Sequence, residues 1–243
     1  MKYSALSDIG LKRDKNEDSW NIVLDTEGNP VGFIIADGMG GYLAGEEASR
    51  IAVEEMSSMI LDCFSMKTDF ESMKELIIKR ISVINDKIID YSNKKLGGLK
   101  SGTTLSAGMV LNNNLHIIHV GDCRVYCVRE GKLSRLTQDH SYVAELVKGG
   151  LISPDQAVNH PDRNRITRAL GFKDNFLPDF YTVPILDGDV YIFCTDGLYE
   201  CVKDDEILKM VLHEPREALA GRLIEKAKEY GGNDNITVIV AWM

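Results

Sequence analysis

Hydrophobic residues along this chain recur with two different periods. Short apolar runs rich in β-branched and aromatic residues occupy positions 3–9, 20–24, 31–36, 103–111, 115–120, 124–128, 181–185, 190–195 and 236–242. Each predicts a strand, because such side chains suit a pleated, partly buried surface. Asn112-Asn113-Asn114 and Glu130-Gly131-Lys132 read as tight turns that pair neighbouring strands into antiparallel hairpins. Elsewhere the period is helical. Ala48, Ala52, Met56, Met59, Ile60 and Cys63 form one apolar stripe, and Phe70, Met73, Ile77, Ile81, Ile84, Ile88 and Tyr91 form a second. Ile207, Met210 and Val211 predict a third helix, and Ala218, Leu219, Leu223 and Ala227 a fourth. The helices are segregated from the strands rather than alternating with them, which predicts an α+β fold with mostly antiparallel sheets. With no repeat, linker or low-complexity tract in 243 residues, the chain reads as one domain, 1–243.

Composition narrows the function classes. Hydrophobic residues are 44% and charged residues 27%, as in an ordinary globular protein. A net charge of −9 argues against a general nucleic-acid binder, whose footprint would be basic. The N-terminus lacks the apolar core of a signal peptide, and the last apolar run falls short of the ~20 residues that span a bilayer. The expectation is a cytoplasmic protein with no membrane partner. The five cysteines, Cys63, Cys123, Cys127, Cys194 and Cys201, include no CxxC pair. On one strand, Cys123 and Cys127 would stand roughly 13 Å apart, too far for a bridge or a shared zinc. They read as small buried hydrophobes in a reducing compartment.

The chemistry-bearing residues are acids at strand ends. The runs before Asp37-Gly38, Gly121-Asp122 and Asp196-Gly197 are apolar, Asp234 precedes the last strand, and Asn16-Glu17-Asp18 precedes the strand at Trp20. One Asp-Gly is ordinarily a turn. Several acids delivered to one place are different, because uncompensated like charges would force some to protonate. Hard divalent cations such as Mg²⁺ or Mn²⁺ remove that penalty. Arg13 beside the Glu17-Asp18 pair is either a plain ion-pair partner or a planar fork for two phosphate oxygens. His119 shares the Leu115/Ile117 face of its strand and reads as a core residue. Glu46, Glu47, Glu54 and Glu55 read as a solvated helix face.

Taken in order, six stretches resemble the metal-dependent protein phosphatases of the type 2C (PPM) family, especially its compact bacterial members. They are Gly10-Leu11-Lys12-Arg13-Asp14-Lys15-Asn16-Glu17-Asp18, Ala36-Asp37-Gly38-Met39-Gly40-Gly41, Ser101-Gly102-Thr103-Thr104, Val120-Gly121-Asp122-Cys123-Arg124-Val125-Tyr126, Thr195-Asp196-Gly197-Leu198 and Gly232-Asn233-Asp234-Asn235-Ile236-Thr237. The region running from Thr137-Gln138-Asp139-His140-Ser141 to Thr167-Arg168-Ala169-Leu170-Gly171 is similar to the family's flap, placed here at about 141–168.

The resemblance implies an α-β-β-α sandwich with the metal centre at one edge of the β core. Asp37 would bridge two ions and the Gly38 carbonyl would bind one of them, with Asp196 and Asp234 holding the other. Glu17 and Asp18 would bind directly or through water, and Asp122 with Asp196 would form a weaker third site. Arg13 would grip the substrate phosphate, making Arg13, Asp18, Asp37 and Asp196 the catalytic set. The implied reaction is hydrolysis of phosphoserine and phosphothreonine by a water that bridges two Mn²⁺ or Mg²⁺ ions. The implied partners are phosphorylated proteins and an opposing serine/threonine kinase, with the enzyme a monomer. Two positions depart from the family pattern. Met39 stands where many members carry a His proposed as the leaving-group acid, and it has no proton to give. Cys123 stands in place of a common Ser and fills a similar volume. Two rivals are a non-catalytic phosphatase-like module, whose signature would be loss of Asp37, Asp196 or Asp234, and a metal-dependent nuclease, which the acidic balance disfavours.

Overall fold

Strand β3 (Pro30–Gly40) shows how the sequence builds the layers. Phe33 and Ile35 belong to one buried cluster and Ile34 and Ala36 to another, the two-residue alternation of a strand covered on both faces. The computed structural model describes residues 1–40, 44–66, 68–95, 97, 100–174 and 176–243. Gly41, the end of the second sequence stretch, lies outside them.

Among the described residues, two antiparallel sheets lie face to face. One has the order β1 (Lys2–Asp8), β11 (Ile236–Trp242), β10 (Val190–Cys194), β7 (Arg124–Arg129) and β8 (Lys132–Arg135). The other has the order β2 (Asp18–Leu24), β3, β5 (Leu105–Leu111), β6 (Asn114–Val120) and β9 (Asp179–Pro184), with β4 (Ser101–Thr103) paired to the far end of β3. Phe33, Ile35, Leu115, Ile117, Val125, Tyr191, Phe193 and Ile239 fill the space between the sheets. Helices α1 (Ala44–Met66) and α2 (Phe70–Lys95) seal the outer face of the second sheet through Met56, Ile60, Ile77, Ile81 and Ile84. Helices α6 (Asp204–His213) and α7 (Arg216–Glu229) seal the first through Ile207, Leu219, Leu223 and Ala227. This is the expected α-β-β-α sandwich, and no described helix is long and apolar enough to cross a membrane.

The differences from the sequence pattern have local causes. The run at 103–111 is divided at Thr104, where the Asp37 N–H donates to the Thr104 hydroxyl (2.9 Å) in place of a backbone carbonyl. The run at 190–195 ends at Cys194, because Thr195 turns the chain into the short helix α5 (Asp196–Tyr199). Strand β8 carries too few apolar residues to register as a run. The Asn112-Asn113 and Glu130-Gly131 turns have positive φ throughout, the conformation that closes a two-residue hairpin. Between β8 and β9, helices α3 (Tyr142–Lys148) and α4 (Pro154–Val158) are capped by Ser141 and Ser153. The segment closes at its base, where the Tyr142 N–H donates to the Arg165 carbonyl (2.8 Å) and the Thr167 N–H to that of His140 (2.8 Å).

Asp189 anchors the end of β10 opposite Asp196. Buried, it accepts from the Arg129 guanidinium (2.8 and 2.7 Å), the Tyr191 hydroxyl (2.8 Å) and the Leu186 N–H (2.9 Å). Burial raises its pKa, but the Arg129 and other hydrogen bonds outweigh this and hold it below the ordinary carboxylate value. Its stabilisation is therefore present above the unfolded pKa and is lost as pH falls through the folded one. Asp189→Asn should cost about 2 kcal/mol in urea unfolding at pH 7, a buried pair discounted for the partial exposure of Arg129. The deficit should shrink toward pH 3, with kcat and KM unchanged. Unaltered stability at pH 7 would remove this role.

Candidate active site

The acids gather at one mouth of the sandwich because of strand register. In the β2/β3 ladder Asp18 stands directly opposite Asp37. Asp196 comes two residues after Cys194, the last of β10, and Asp234 comes two residues before Ile236, the first of β11, the neighbour of β10. Asp122 lies in the connection from β6 to β7, where the chain passes from one sheet to the other. Each sheet thus contributes acids to the same mouth.

Asp18 ties the sheets together. Its Oδ2 accepts from the hydroxyls of Thr195 (3.0 Å) and Thr237 (2.6 Å), both on the opposite sheet's side. Its Oδ1 is buried with no hydrogen-bond partner, and so is Oδ1 of Asp196. Burial raises the Asp18 pKa to about 7, against the pull of the two threonine hydroxyls. Asp37 is driven well above the ordinary carboxylate value by burial and then by the charges of Asp18, Asp196, Asp122 and Asp234. Asp196 is raised in the same way, with Asp122 and Asp234 the leading charges. Asp122 is raised to about 7 by burial and by Asp139, with Arg124 opposing. No group of three or more His, Cys, Asp or Glu among the described residues forms a finished ion cage. The acids nonetheless act on one another electrostatically, and two of them hold unpaired buried oxygens. A hard cation suits that donor set, and a soft one does not.

Two glycines permit this approach. A Cβ on Gly38 would lie 2.2 Å from the Gly45 carbonyl oxygen and 2.5 Å from that of Glu17, to which the Gly38 N–H donates (3.1 Å). Gly197 is equally confined, since its Cβ would meet the Asn235 carbonyl oxygen at 2.1 Å. Glu17 itself is raised by burial, an effect partly offset by the Gly45 N–H in the first turn of α1.

Arg13 reaches the same mouth. Its guanidinium donates to Asp234 Oδ2 at 2.6 Å, yet the side chain is 50% exposed on the rim. Burial works against its charge, but Asp234, Asp196 and Asp37 together raise its pKa. The ion pair is therefore present, and the exposed face of the fork remains open to a second anion.

Several supporting residues had no role in the sequence reading. Asn235 clamps the Arg13 loop, donating to the carbonyls of Ile9 (2.9 Å) and Lys15 (2.8 Å) and accepting from the Glu17 N–H (2.8 Å). In sequence it reads only as a turn residue. Thr104 fixes Asp37 from both sides, accepting the Asp37 N–H and donating its own N–H to the Asp37 carbonyl (2.9 Å). Behind Asp122, Arg124 pairs with Asp139 (2.7 Å) and lies 3.6 Å from the Tyr199 ring centroid, while the Tyr199 hydroxyl donates to the Asp122 carbonyl (3.0 Å).

The structure also places the other residues singled out in the sequence. Met39 is half-buried beyond Gly38. Cys123 is buried 3.0 Å from the Thr104 hydroxyl, and burial followed by Asp37 and Asp122 raises its thiol well above the ordinary value, as suits a packing residue. His119 is buried between Ser106 (2.8 Å) and the Gln138 carbonyl (3.1 Å), and burial depresses it to about 3, so it is a neutral core residue. His140 accepts the Gly121 N–H (3.1 Å), and its other nitrogen contacts Asp179 (3.1 Å). Glu47 and Glu54 pair with Arg50, and Glu55 pairs with Lys87, on the outer surface of α1. Cys63, Cys123, Cys127 and Cys194 are buried and unbridged.

Comparison with known proteins gives this arrangement a family. Residues 28–236 match the model of the family described as protein phosphatase 2C. The serine/threonine phosphatase stp of Listeria monocytogenes serotype 4b (strain F2365) is 36% identical over 242 residues, spanning 99% of this chain and 95% of that protein. The fold superposes on the S. agalactiae serine/threonine phosphatase with a TM-score of 0.90 at 32% identity, covering 100% of this chain and 99% of the other. The catalytic domain of the serine/threonine protein phosphatase PstP, in complex with two manganese ions, gives a TM-score of 0.82 at 34% identity, with 98% and 96% covered. With a family model spanning most of the chain and relatives above 30% identity along nearly all of it, the chain belongs to the protein phosphatase 2C family.

Proposed function

We propose that this chain is a Mn²⁺- or Mg²⁺-dependent phosphoprotein phosphatase that hydrolyses phosphoserine and phosphothreonine monoesters. The observation that carries the reading is the meeting of Asp18 and Asp37 from one sheet with Asp196 and Asp234 from the other, two of them with unpaired buried oxygens. Asp37 would bridge two ions, the Gly38 carbonyl would complete one, and Asp196 with Asp234 would complete the other. Glu17 and Asp18 would hold them directly or through water, and Asp122 would share a weaker third ion with Asp196. Ions so held would neutralise the acids, activate a water for in-line attack on phosphorus and offset charge on the phosphate oxygens. The two manganese ions of the PstP structure support the pair.

The chain's own groups do the positioning. Thr195 and Thr237 fix the Asp18 carboxylate and Thr104 fixes the Asp37 backbone by hydrogen bonds, so the site needs little reorganisation when substrate arrives. Arg13, half exposed, turns its fork from Asp234 to two phosphate oxygens. Met39 supplies no proton, so the leaving oxygen is protonated by another group. The 141–168 segment, as a flap over the single domain 1–243, would govern the choice among protein substrates. Its placement beside Asp122 in a shared cleft supports that role. The enzyme would act as a cytoplasmic monomer opposing a serine/threonine kinase.

A phosphoserine-peptide assay with Mn²⁺, with and without EDTA, tests the reading directly. EDTA should abolish turnover, and Asp196→Asn should lower kcat by about a thousandfold or more with an unchanged circular dichroism spectrum. Replacing one of several mutually repelling acids should leave the melting temperature in EDTA at or above that of the wild type. The rise that Mn²⁺ gives the wild type should shrink in the variant. Full turnover in EDTA, or near-normal turnover by the variant, refutes the proposal.

Arg13→Ala should raise KM about tenfold with a smaller change in kcat, as expected for a charge-assisted hydrogen bond made equally in the ground and transition states. Unchanged constants would leave Arg13 as a plain partner of Asp234.

Asp122→Ala should keep two tightly bound ions and lose most phosphopeptide turnover, because an ion held by few carboxylates binds weakly and keeps its water. Calorimetric ion counting beside kcat decides this. If Asp122 only shapes its turn, the change costs ~1 kcal/mol of stability and little rate.

A further inference from the structure

A second cleft, of about 720 Å³, opens beside the carboxylate centre, and Met39 is the residue that joins the two. In the β3/β4 ladder Gly38 pairs with Thr103, Met39 with Gly102 and Gly40 with Ser101. The chain beyond Leu170 adds a third layer. Thr103 and Leu170 exchange backbone hydrogen bonds (3.0 and 2.9 Å), and the Phe172 ring lies where a Cβ on Gly102 would stand, 2.4 Å from it. The Gly171 N–H donates to the Asn85 side chain (2.8 Å), which pins this layer to α2. The result is a fixed floor leading away from Asp37, and Lys100, Arg168 and Lys173 stand along it with one acid, Asp174.

Three cations against one acid run counter to a chain whose net charge is −9. Arg168 is already engaged, donating to Asp179 at 2.8 Å. Lys100 and Lys173 are exposed, and neither has an ion-pair partner among the described residues. Met39 is two residues beyond Asp37, roughly 7 Å along an extended strand, and Lys100 adjoins the residue paired with Gly40. A peptide whose phosphate sits at Asp37 therefore reaches the lysines with a side chain about three residues away.

Resting on the phosphatase reading above, we infer that the cleft walled by Met39, Phe172, Lys100 and Lys173 is a docking subsite for acidic side chains flanking the phosphoresidue, so that the preferred substrates carry Asp or Glu about three residues from the phosphoserine or phosphothreonine. Charge complementarity identifies the occupant. A basic flank would meet two ammonium groups, whereas an acidic flank replaces their water with opposite charge at the place where substrate enters. Because both lysines are exposed, the preference weakens with added salt.

The test uses the full chain with Mn²⁺, three phosphothreonine peptides with acidic, neutral or basic flanks, and p-nitrophenyl phosphate as a flankless control. The wild type should show its lowest KM on the acidic peptide. Lys100→Glu/Lys173→Glu should raise that KM about tenfold, lower KM on the basic peptide and leave kcat unchanged. Its constants for p-nitrophenyl phosphate should match those of the wild type, which also shows that the double variant folds. Equal KM values across the three peptides in the wild type, or equal changes on all three in the variant, would overturn the docking subsite. Absence of Mn²⁺-dependent hydrolysis of every substrate by the wild type would instead overturn the phosphatase reading on which it stands.

Discussion

The repulsion among acids held at one end of a β-sandwich is the constraint around which the molecule is arranged. Asp18, Asp37, Asp122 and Asp196 are each raised by burial; Asp37 and Asp196 are raised further by the other acids of the set, and Asp18 by Asp234. In a protein of marginal stability such a cluster is a standing cost. The fold carries it because the apolar layers around it are extensive, from Phe33 and Phe193 between the sheets to Met56 and Leu223 outside them. Fixed hydrogen bonds from Thr195 and Thr237 also hold Asp18 in place rather than letting it swing into solvent. Preorganised charge of this kind is what a divalent ion requires, and the family's metal dependence is the chemical counterpart of the repulsion.

The supporting groups divide between the two sheets in a consistent way. Backbone register sets Asp18 against Asp37; the Thr195 and Thr237 hydroxyls from the other sheet's side then hold the Asp18 carboxylate, while Thr104, on the same sheet as Asp37, holds the Asp37 backbone. Asn235 links three separate backbone segments, so the Arg13 loop and the turn at Asp234 share one anchor. Asp189, at the far end of β10, shows the contrast within a single strand. Its carboxylate is fully paired and its pKa is depressed, as suits a structural group, whereas Asp196 has an orphaned oxygen and a raised pKa, as suits a ligand.

Secondary structure was largely legible because burial on both faces leaves a strong period in the sequence. The alternation of Ile34 and Ala36 with Phe33 and Ile35, and the long stripe of α2, predicted their elements closely. The breaks were not legible. The interruption at Thr104 depends on a side-chain hydroxyl that replaces a ladder carbonyl, and nothing in a window of neighbouring residues encodes that substitution. Helices α3, α4 and α5 are too short for a helical period to accumulate, although the caps at Ser141 and Ser153 are readable once the elements are known.

For the site, the sequence by itself determined which acids end apolar strands, and the order of its motifs marked the family. It could not decide that Asp18 lies opposite Asp37, that Asp18 bonds to Thr237, 219 residues away, or that Asn235 clamps the Arg13 loop. It left Arg13 between an ion pair and a phosphate fork, and the fold places the guanidinium on Asp234 with half of its side chain exposed. Nor could the sequence bring Lys100 and Lys173 to one cleft beside Met39. The physical reason is the same in each case. Periodicity records whether a residue faces water or core, which is local and additive, whereas a site depends on strand register and on contacts between distant segments, which exist only once the sheets have paired.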